Sequence, residues 1–217
     1  MLEERYLMKP LILLFCFALT FGSQLAGTEL PSPWQHQDVG PVELKGDASY
    51  SAAEKSFIIK GTLDTWGTND GFHFVWRQVR GDVELTARVV SVENTFNHAK
   101  AGLMVRESLD AGSKHAEACV TPVDGAQFLT RLETNGKTTA AHTGLNKGKF
   151  PYYLKLTRAG QTVSGYESMD GVQWTLIGST NIALPDKIYL GLVTSSHQKT
   201  TLCTGKLDQV GLKATTP

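Results

Sequence analysis

The sequence predicts a nearly all-β protein, and three observations support that fold class. Apolar and polar residues alternate with a period of two in about a dozen short segments, as in half-buried strands. The segments recur roughly every 8–12 residues, and turn signals such as Asn135-Gly136 and Asp170-Gly171 separate them. No segment has a sustained helical repeat, and the stretch 94–100 is the one short helix candidate, with a loop as the alternative. Together these features are typical of antiparallel sandwiches and barrels.

The individual strands are predicted from their side-chain patterns. Residues 72–76 read FHFVW, which predicts a strand that is buried on both faces. Residues 83–92 alternate Leu85, Ala87 and Val89 with polar side chains, which predicts a strand with one core-facing side. The same reasoning predicts strands at 72–76, 83–92, 101–107, 115–120, 127–133, 152–158, 163–168, 173–177, 188–194 and 202–212.

The N-terminal segment predicts export. Residues 11–21 read LILLFCFALTF, a run that is too short to span a bilayer but typical of a signal-peptide core. We expect a signal peptide at 1–27, with Met8 as the possible true start because Glu3 and Glu4 do not suit the leading region of a signal. An uncleaved anchor, a buried N-terminal strand and a lipid attached at Cys16 are the alternatives. The expected location is secreted, periplasmic or on the cell envelope, with no integral membrane segment after cleavage.

The remaining chain predicts one domain without a charged interaction surface. Prolines within 28–41 favour an extended lead-in, and 42–214 then forms a single sandwich domain. Lys and Arg total 21 and Asp and Glu also total 21, so there is no basic excess. This balance argues against nucleic acid and against an anionic membrane surface as partners.

Several motifs resemble a known family of concanavalin A-like domains. They read DTWG at 64–67, DGFHF at 70–74, KAGLMVRES at 100–108 and SMDGVQW at 168–174. These segments resemble the DUF1349, or "regulation of enolase protein 1"-like, family of the concanavalin A-like lectin/glucanase superfamily. The resemblance implies a jelly-roll sandwich of two antiparallel sheets with one concave and one convex face. Related domains accompany secreted carbohydrate-active enzymes. Leu103, Cys119 and Cys203 depart from the family pattern.

A glycan is the expected ligand, since sugar sites combine a flat aromatic ring with planar polar groups. Trp66 lies in a loop rich in Gly, Asp and Asn, where its ring would be available. Arg106 and Arg131 occupy the faces of their strands that do not point to the core, and His73 alternates with phenylalanines. With His197 they form the candidate ligand-binding set. The alternatives are that Trp66 covers one end of the core and that Arg106 forms an internal ion pair.

Catalysis is the rival interpretation. Glycoside hydrolases need two carboxyl groups that face each other across the scissile bond. Sandwich glucanases commonly have these acids in an E-x-D-x-E pattern on one strand, and this sequence contains no such pattern. We therefore favour a non-catalytic secreted binding module. A carbohydrate-active hydrolase or lyase and an envelope structural or protein-interaction module stay open, as does the oligomeric state.

Metal binding and disulfide formation are two further questions. His115, Glu117 and Cys119 project from one face of a strand, but the first and last lie about 13 Å apart, too far for one ion. We expect no cofactor, although Asp38 and Asp208 are considered as calcium ligands. After signal cleavage Cys119 and Cys203 remain, and they form either a disulfide or two separate buried thiols.

Overall fold

The computed structural model describes residues 29–214 and shows fourteen β-strands in that range. No helix occurs among these residues, and the stretch 94–100, the one helix candidate, is instead a loop whose last residue opens a strand. In chain order the strands are β1 Gln35–Val39, β2 Asp47–Ser51, β3 Ser56–Gly61, β4 Phe72–Arg80, β5 Val83–Val92, β6 Lys100–Arg106, β7 His115–Thr121, β8 Gly125–Arg131, β9 Thr139–His142, β10 Tyr152–Ala159, β11 Thr162–Ser168, β12 Thr175–Asn181, β13 Lys187–Ser195 and β14 Cys203–Ala214.

The strands form two antiparallel sheets of seven, counted over the described range. The first sheet has the order β1-β4-β13-β6-β7-β8-β9, and the second has the order β12-β11-β10-β5-β14-β3-β2. Strands that are distant in sequence therefore lie side by side in each sheet. The predicted all-β sandwich of two antiparallel sheets is confirmed.

The main core lies between the two sheets and is built by one side of each strand. Leu85 and Leu154 from the second sheet and Leu103 and Leu192 from the first are buried in one continuous apolar cluster. Each buried side chain of this size contributes about 1.5–3 kcal/mol relative to exposure. The alternation along β5 and β6 thus sets which side chains point inward and which point outward.

The outer face of the first sheet, which points away from that core, is also largely covered. A second apolar cluster there contains Val39, Phe72, Phe74, Met104 and Val193. Beyond this cluster most outward side chains of β6, β7 and β8 are polar, although Leu129 is apolar, and every residue of these three strands is buried. Burial on both faces is confirmed for 72–75, whereas Trp76 is half-buried, and burial on both faces extends to the middle of the sheet.

The N-terminal part of the sandwich differs from the prediction. β1 pairs with β4 within the stretch 28–41 that was expected to be a lead-in, so the sandwich begins before residue 42. Strands β2, β3 and β9 were also missed. The predicted signal peptide at 1–27 lies outside the described residues. Among residues 29–214 no helix has the length and apolar character needed to cross a membrane.

Candidate functional site

A cavity of about 470 Å³ opens on the outer face of the first sheet. Its floor is formed by outward side chains of β6, β8 and β9, and its walls come from the loop at 62–71 and from the segments that contain His98 and His197. We call it the Trp66 pocket. Its lining residues are Asp64, Trp66, His98, Lys100, Gln127, Leu129, Ala140, His142 and His197.

Trp66 is the most exposed large ring at this pocket. Its side chain is 51% exposed, and it lies in the loop between β3 and β4. Gly67 follows with a φ of +84°, which glycine adopts readily, and an added Cβ would meet no atom within 4 Å. The loop can therefore turn sharply at Gly67 and leave the indole beside the cavity. The prediction that this ring is available for stacking agrees with its position.

A second group of rings stands at the pocket wall. Phe96 stacks on His197 with ring centroids 4.7 Å apart and an angle of 15° between the planes. His98 contacts the same imidazole edge-on at 5.3 Å. Phe96 is 40% exposed, so the group presents apolar ring surface together with imidazole nitrogens. Flat rings beside hydrogen-bonding groups are the combination that a sugar ring requires.

The floor is fixed by a buried ionic group. The ammonium of Lys100 contacts one oxygen of Asp64, and Nδ1 of His197 lies 2.5 Å from the other. Burial acts to raise the pKa of Asp64, but its contacts with His197 and Lys100 outweigh burial and hold the pKa below its usual range. Burial likewise opposes the charge of Lys100, while Asp64 and other acids raise its pKa. Both groups are therefore charged at neutral pH.

Arg106 and Arg131 do not reach the pocket surface, which corrects their expected role as ligand-binding groups. Both side chains have no exposed area, and both contact Asp70, at 3.2 Å from Arg106 and 2.7 Å from Arg131. Arg131 also donates to the backbone oxygens of Gly67 and Ala111 at 3.2 and 3.0 Å. The alternative of an internal ion pair for Arg106 is correct, with Asp70 as the partner. The two arginines hold the Trp66 loop down on the sheet.

His73 lies elsewhere in the fold. Its side chain is buried between β1 and β4, where Nδ1 lies 2.7 Å from Asp38 and Nε2 lies 2.9 Å from Nδ1 of His36. Burial lowers the pKa of His73, and the Asp38 carboxylate opposes that effect. The structure thus separates His73 from Trp66 and His197, the two predicted residues that do line one pocket.

The two calcium candidates are also apart. Asp38 is on β1 of the first sheet and accepts hydrogen bonds from the backbone of Gly46 as well as contacting His73. Asp208 is on β14 of the second sheet and pairs with Arg88 at 2.5 Å. No group of three or more His, Cys, Asp or Glu side chains within 29–214 is arranged to hold a metal ion.

The two cysteines are free thiols, so of the two alternatives the structure shows two separate buried thiols and not a disulfide. Cys203 lies in the core between the sheets, where its thiol contacts the backbone oxygen of Glu93 at 3.3 Å. Cys119 is on the other side of the first sheet, because its neighbours Ala118 and Val120 occupy the core-facing positions of β7. The two sulfur atoms therefore lie on opposite sides of one sheet and cannot bond.

Glu117 is an unpaired acid beneath the pocket floor. It is fully buried between Met104 of β6 and Leu129 of β8 in the strand register, and neither carboxylate oxygen has a hydrogen-bond partner. Burial raises the pKa of Glu117 to about 7, although the nearby Lys100 ammonium acts in the opposite direction. The folded protein therefore favours the protonated carboxyl more than an exposed glutamate would.

Sequence reasoning missed most of the pocket. Asp64 and Lys100 stand in the DTWG and KAGLMVRES motifs but were not assigned a role, and Phe96, His98 and His142 had no motif around them. The contact between Asp64 and Lys100 joins residues 36 apart in sequence, so it depends on how the loop folds over the sheet. The opposite charges of Asp64 and Lys100, each within a motif, were the one feature of the sequence that could have indicated this contact.

Known structures share this fold. A functionally unknown protein from Saccharomyces cerevisiae is 18% identical, with a TM-score of 0.64 over 84% of this chain and 98% of that one. The carbohydrate-binding module CBM66 from Bacillus subtilis is 15% identical, with a TM-score of 0.54 over 83% and 95%. The lectin UEA-II, in complex with galactose, is 8% identical, with a TM-score of 0.52 over 84% and 98%. This chain therefore has the jelly-roll sandwich fold that these proteins share.

The narrower family assignment rests on motifs alone. No protein-family model matches the chain, and no curated protein matches it in sequence. Membership of the DUF1349-type family stays a prediction.

Proposed function

We propose that this protein is a secreted, non-catalytic carbohydrate-binding module and that its glycan site is the Trp66 pocket. The observation that supports this most is the half-exposed indole of Trp66 beside a cavity of about 470 Å³. The ring can stack on one face of a sugar, while His98, Gln127 and His142 offer hydrogen bonds along the cavity. Likeness in fold to a carbohydrate-binding module and a lectin supports the same ligand class.

A binding role is favoured over hydrolysis by the acids at the pocket. Among its described lining residues Asp64 is the one carboxylate, and its two oxygens contact Lys100 and His197. A glycosidase needs two carboxyl groups that reach the scissile bond. Asp70 and Glu117 are buried below the surface and do not face the cavity. Export is proposed from the apolar run at 11–21.

Binding of the purified protein to a panel of neutral and acidic polysaccharides tests this proposal. We expect Trp66→Ala to weaken binding to the glycan that is retained by at least about tenfold, since the stacking surface is lost. Val172→Ala is the matched control, because Val172 is 76% exposed and lies in the hairpin between β11 and β12. Equal binding by Trp66→Ala and the unmodified protein would show that the Trp66 pocket is not the glycan site. If the protein binds no glycan of the panel, the proposed function is contradicted.

A further inference from the structure

A second groove, of about 390 Å³, lies on the outer face of the second sheet, on the opposite side of the sandwich from the Trp66 pocket. Side chains of β5, β10 and β14 form its base, and the hairpin between β11 and β12 forms one wall. We call it the Trp174 groove. Its lining residues are Glu84, Thr86, Ala87, Tyr153, Lys155, Gly171, Trp174, Gln209 and Lys213.

Lys155 is held in this groove by aromatic rings. Its ammonium lies 4.3 Å from the ring centroid of Trp174 and 4.9 Å from that of Tyr166. Within the described part of the chain no carboxylate lies within 4.0 Å of this ammonium, whereas Lys213 pairs with Glu84 at 2.8 Å. Cation–π contacts position a charge without neutralising it. The groove therefore contains one positive charge that is positioned in advance and lacks an anionic partner.

One wall of the groove is a hydrogen-bonded turn, and the opposite wall contains a β-bulge. Asp170 Oδ1 accepts hydrogen bonds from the backbone N–H groups of Val172 and Gln173, each at 2.8 Å, so the turn that presents Trp174 is fixed. On the opposite wall the pairing of β14 with β5 shifts register between Asp208 and Gly211. Gln209 within that bulge has a φ of +49°, which is unusual for a residue other than glycine. Bulges of this kind redirect a side chain, here one that lines the groove.

We infer that the Trp174 groove is a second binding site and that its ligand is a carboxylate-bearing sugar residue, a uronic acid. The Lys155 ammonium would pair with the sugar carboxylate, which supplies the missing anion. Trp174 and Tyr153 line the groove as ring surface, and Thr86 and Gln209 offer hydrogen bonds to hydroxyl groups. The site does not depend on the Trp66 pocket, because it uses the other sheet.

Titration of the purified protein with trigalacturonate in a calorimeter tests the inference. The fully methyl-esterified trisaccharide serves as the uncharged ligand control. We expect the unmodified protein to bind the acid form and Lys155→Met to bind it at least about tenfold more weakly, since a charge-assisted contact is lost. Methionine retains the apolar stem against Trp174. Trp66→Ala should bind trigalacturonate normally, which separates this site from the proposed glycan pocket.

Lys206→Met is the matched control variant. Lys206 lies on β14 of the same sheet but pairs with Glu54 at 2.8 Å outside the groove, so its loss removes the same charge without touching the site. In the unmodified protein the indole N–H resonance of Trp174 should also shift during titration, a result that needs no variant to fold. Absence of binding, equal loss in both lysine variants, or an unmoved Trp174 resonance would overturn the inference.

Discussion

The carboxylate of Asp70 lies 2.7 Å from the guanidinium of Arg131, and neither side chain has exposed area. Arg106 reaches the other oxygen at 3.2 Å, so one buried acid is held by two buried arginines. Burial raises the pKa of Asp70 and the two arginines oppose that effect. This group connects the loop that contains Trp66 to β6 and β8, and so links the stability of the sheet to the position of the exposed ring.

Replacement of Arg131 should be strongly destabilising. Arg131→Met leaves Asp70 with Arg106 as its one arginine partner and removes one of the two donors to each of the backbone oxygens of Gly67 and Ala111. We expect the free energy of unfolding to fall by about 3–5 kcal/mol, as when one partner of a buried pair is removed. Urea unfolding measures this change.

Arg80→Met is the matched control for Arg131→Met. Arg80 pairs with Asp186 at 2.7 Å, but the two side chains are largely exposed. Loss of such a pair costs about 0–1 kcal/mol. If both variants lose the same small amount, the buried group does not have the structural role described.

Glu117 should make the free energy of unfolding decrease as the pH rises. Burial raises its pKa to about 7 in the folded protein, above the value of about 4.3 expected for an unfolded chain. The folded state therefore favours the protonated carboxyl, and stability contributed by this group is present below pH ~4 and lost as the pH rises to about 7. Glu117→Gln mimics the protonated form and removes that loss.

The measurement is urea unfolding of Glu117→Gln and the unmodified protein at several pH values. We expect the variant to gain about 2–4 kcal/mol relative to the unmodified protein between pH ~4 and pH ~8. Glu133→Gln, at an exposed position, is the control and should show no such gain. A difference between Glu117→Gln and the unmodified protein that does not change with pH would show that folding does not raise the pKa of Glu117.

The strands of the sandwich could be predicted from the sequence to a greater extent than the pocket could. Residues 83–92 were predicted as a strand from alternation, and β5 has those bounds because one of its faces packs on the core. β2 and β9 were missed because they are short, mostly polar strands at sheet edges, where few apolar side chains are needed. β3 was missed as well although it lies inside the second sheet, so position at an edge explains only the failures at β2 and β9.

The candidate site depended on information that no strand pattern contains. Alternation placed Arg106 and Arg131 off the core-facing side, and this was correct. It did not show that the loop at 62–71 covers the outer face and supplies Asp70 as their partner. His73 faces the other way from Phe72 and Phe74, so it could not join the same surface. The exposure of Trp66 could be anticipated from its polar, Gly-containing loop, which needs no partner strand, while its role in binding stays a prediction.

The cysteines should behave as two separate buried thiols. We expect that denaturation without a reducing agent, followed by alkylation, will label the peptides that contain Cys119 and Cys203 individually. Burial raises the pKa of Cys203 to about 12 and that of Cys119 well above its usual range, so both should react slowly in the folded protein. Mass spectrometry of the digested protein checks this, and a peptide pair linked through the two sulfur atoms would contradict the structure.

The central claim, that a glycan binds at Trp66, is tested most directly by two-dimensional NMR of the unmodified protein titrated with whichever neutral oligosaccharide the binding panel identifies. Each tryptophan contributes one indole N–H peak to the spectrum. Trp34 and Trp76 do not line the pocket and serve as internal references. We predict that the Trp66 resonance shifts with saturation while those of Trp34 and Trp76 stay in place. A saturable shift confined to the other tryptophans, or no shift at any of them, would contradict the account.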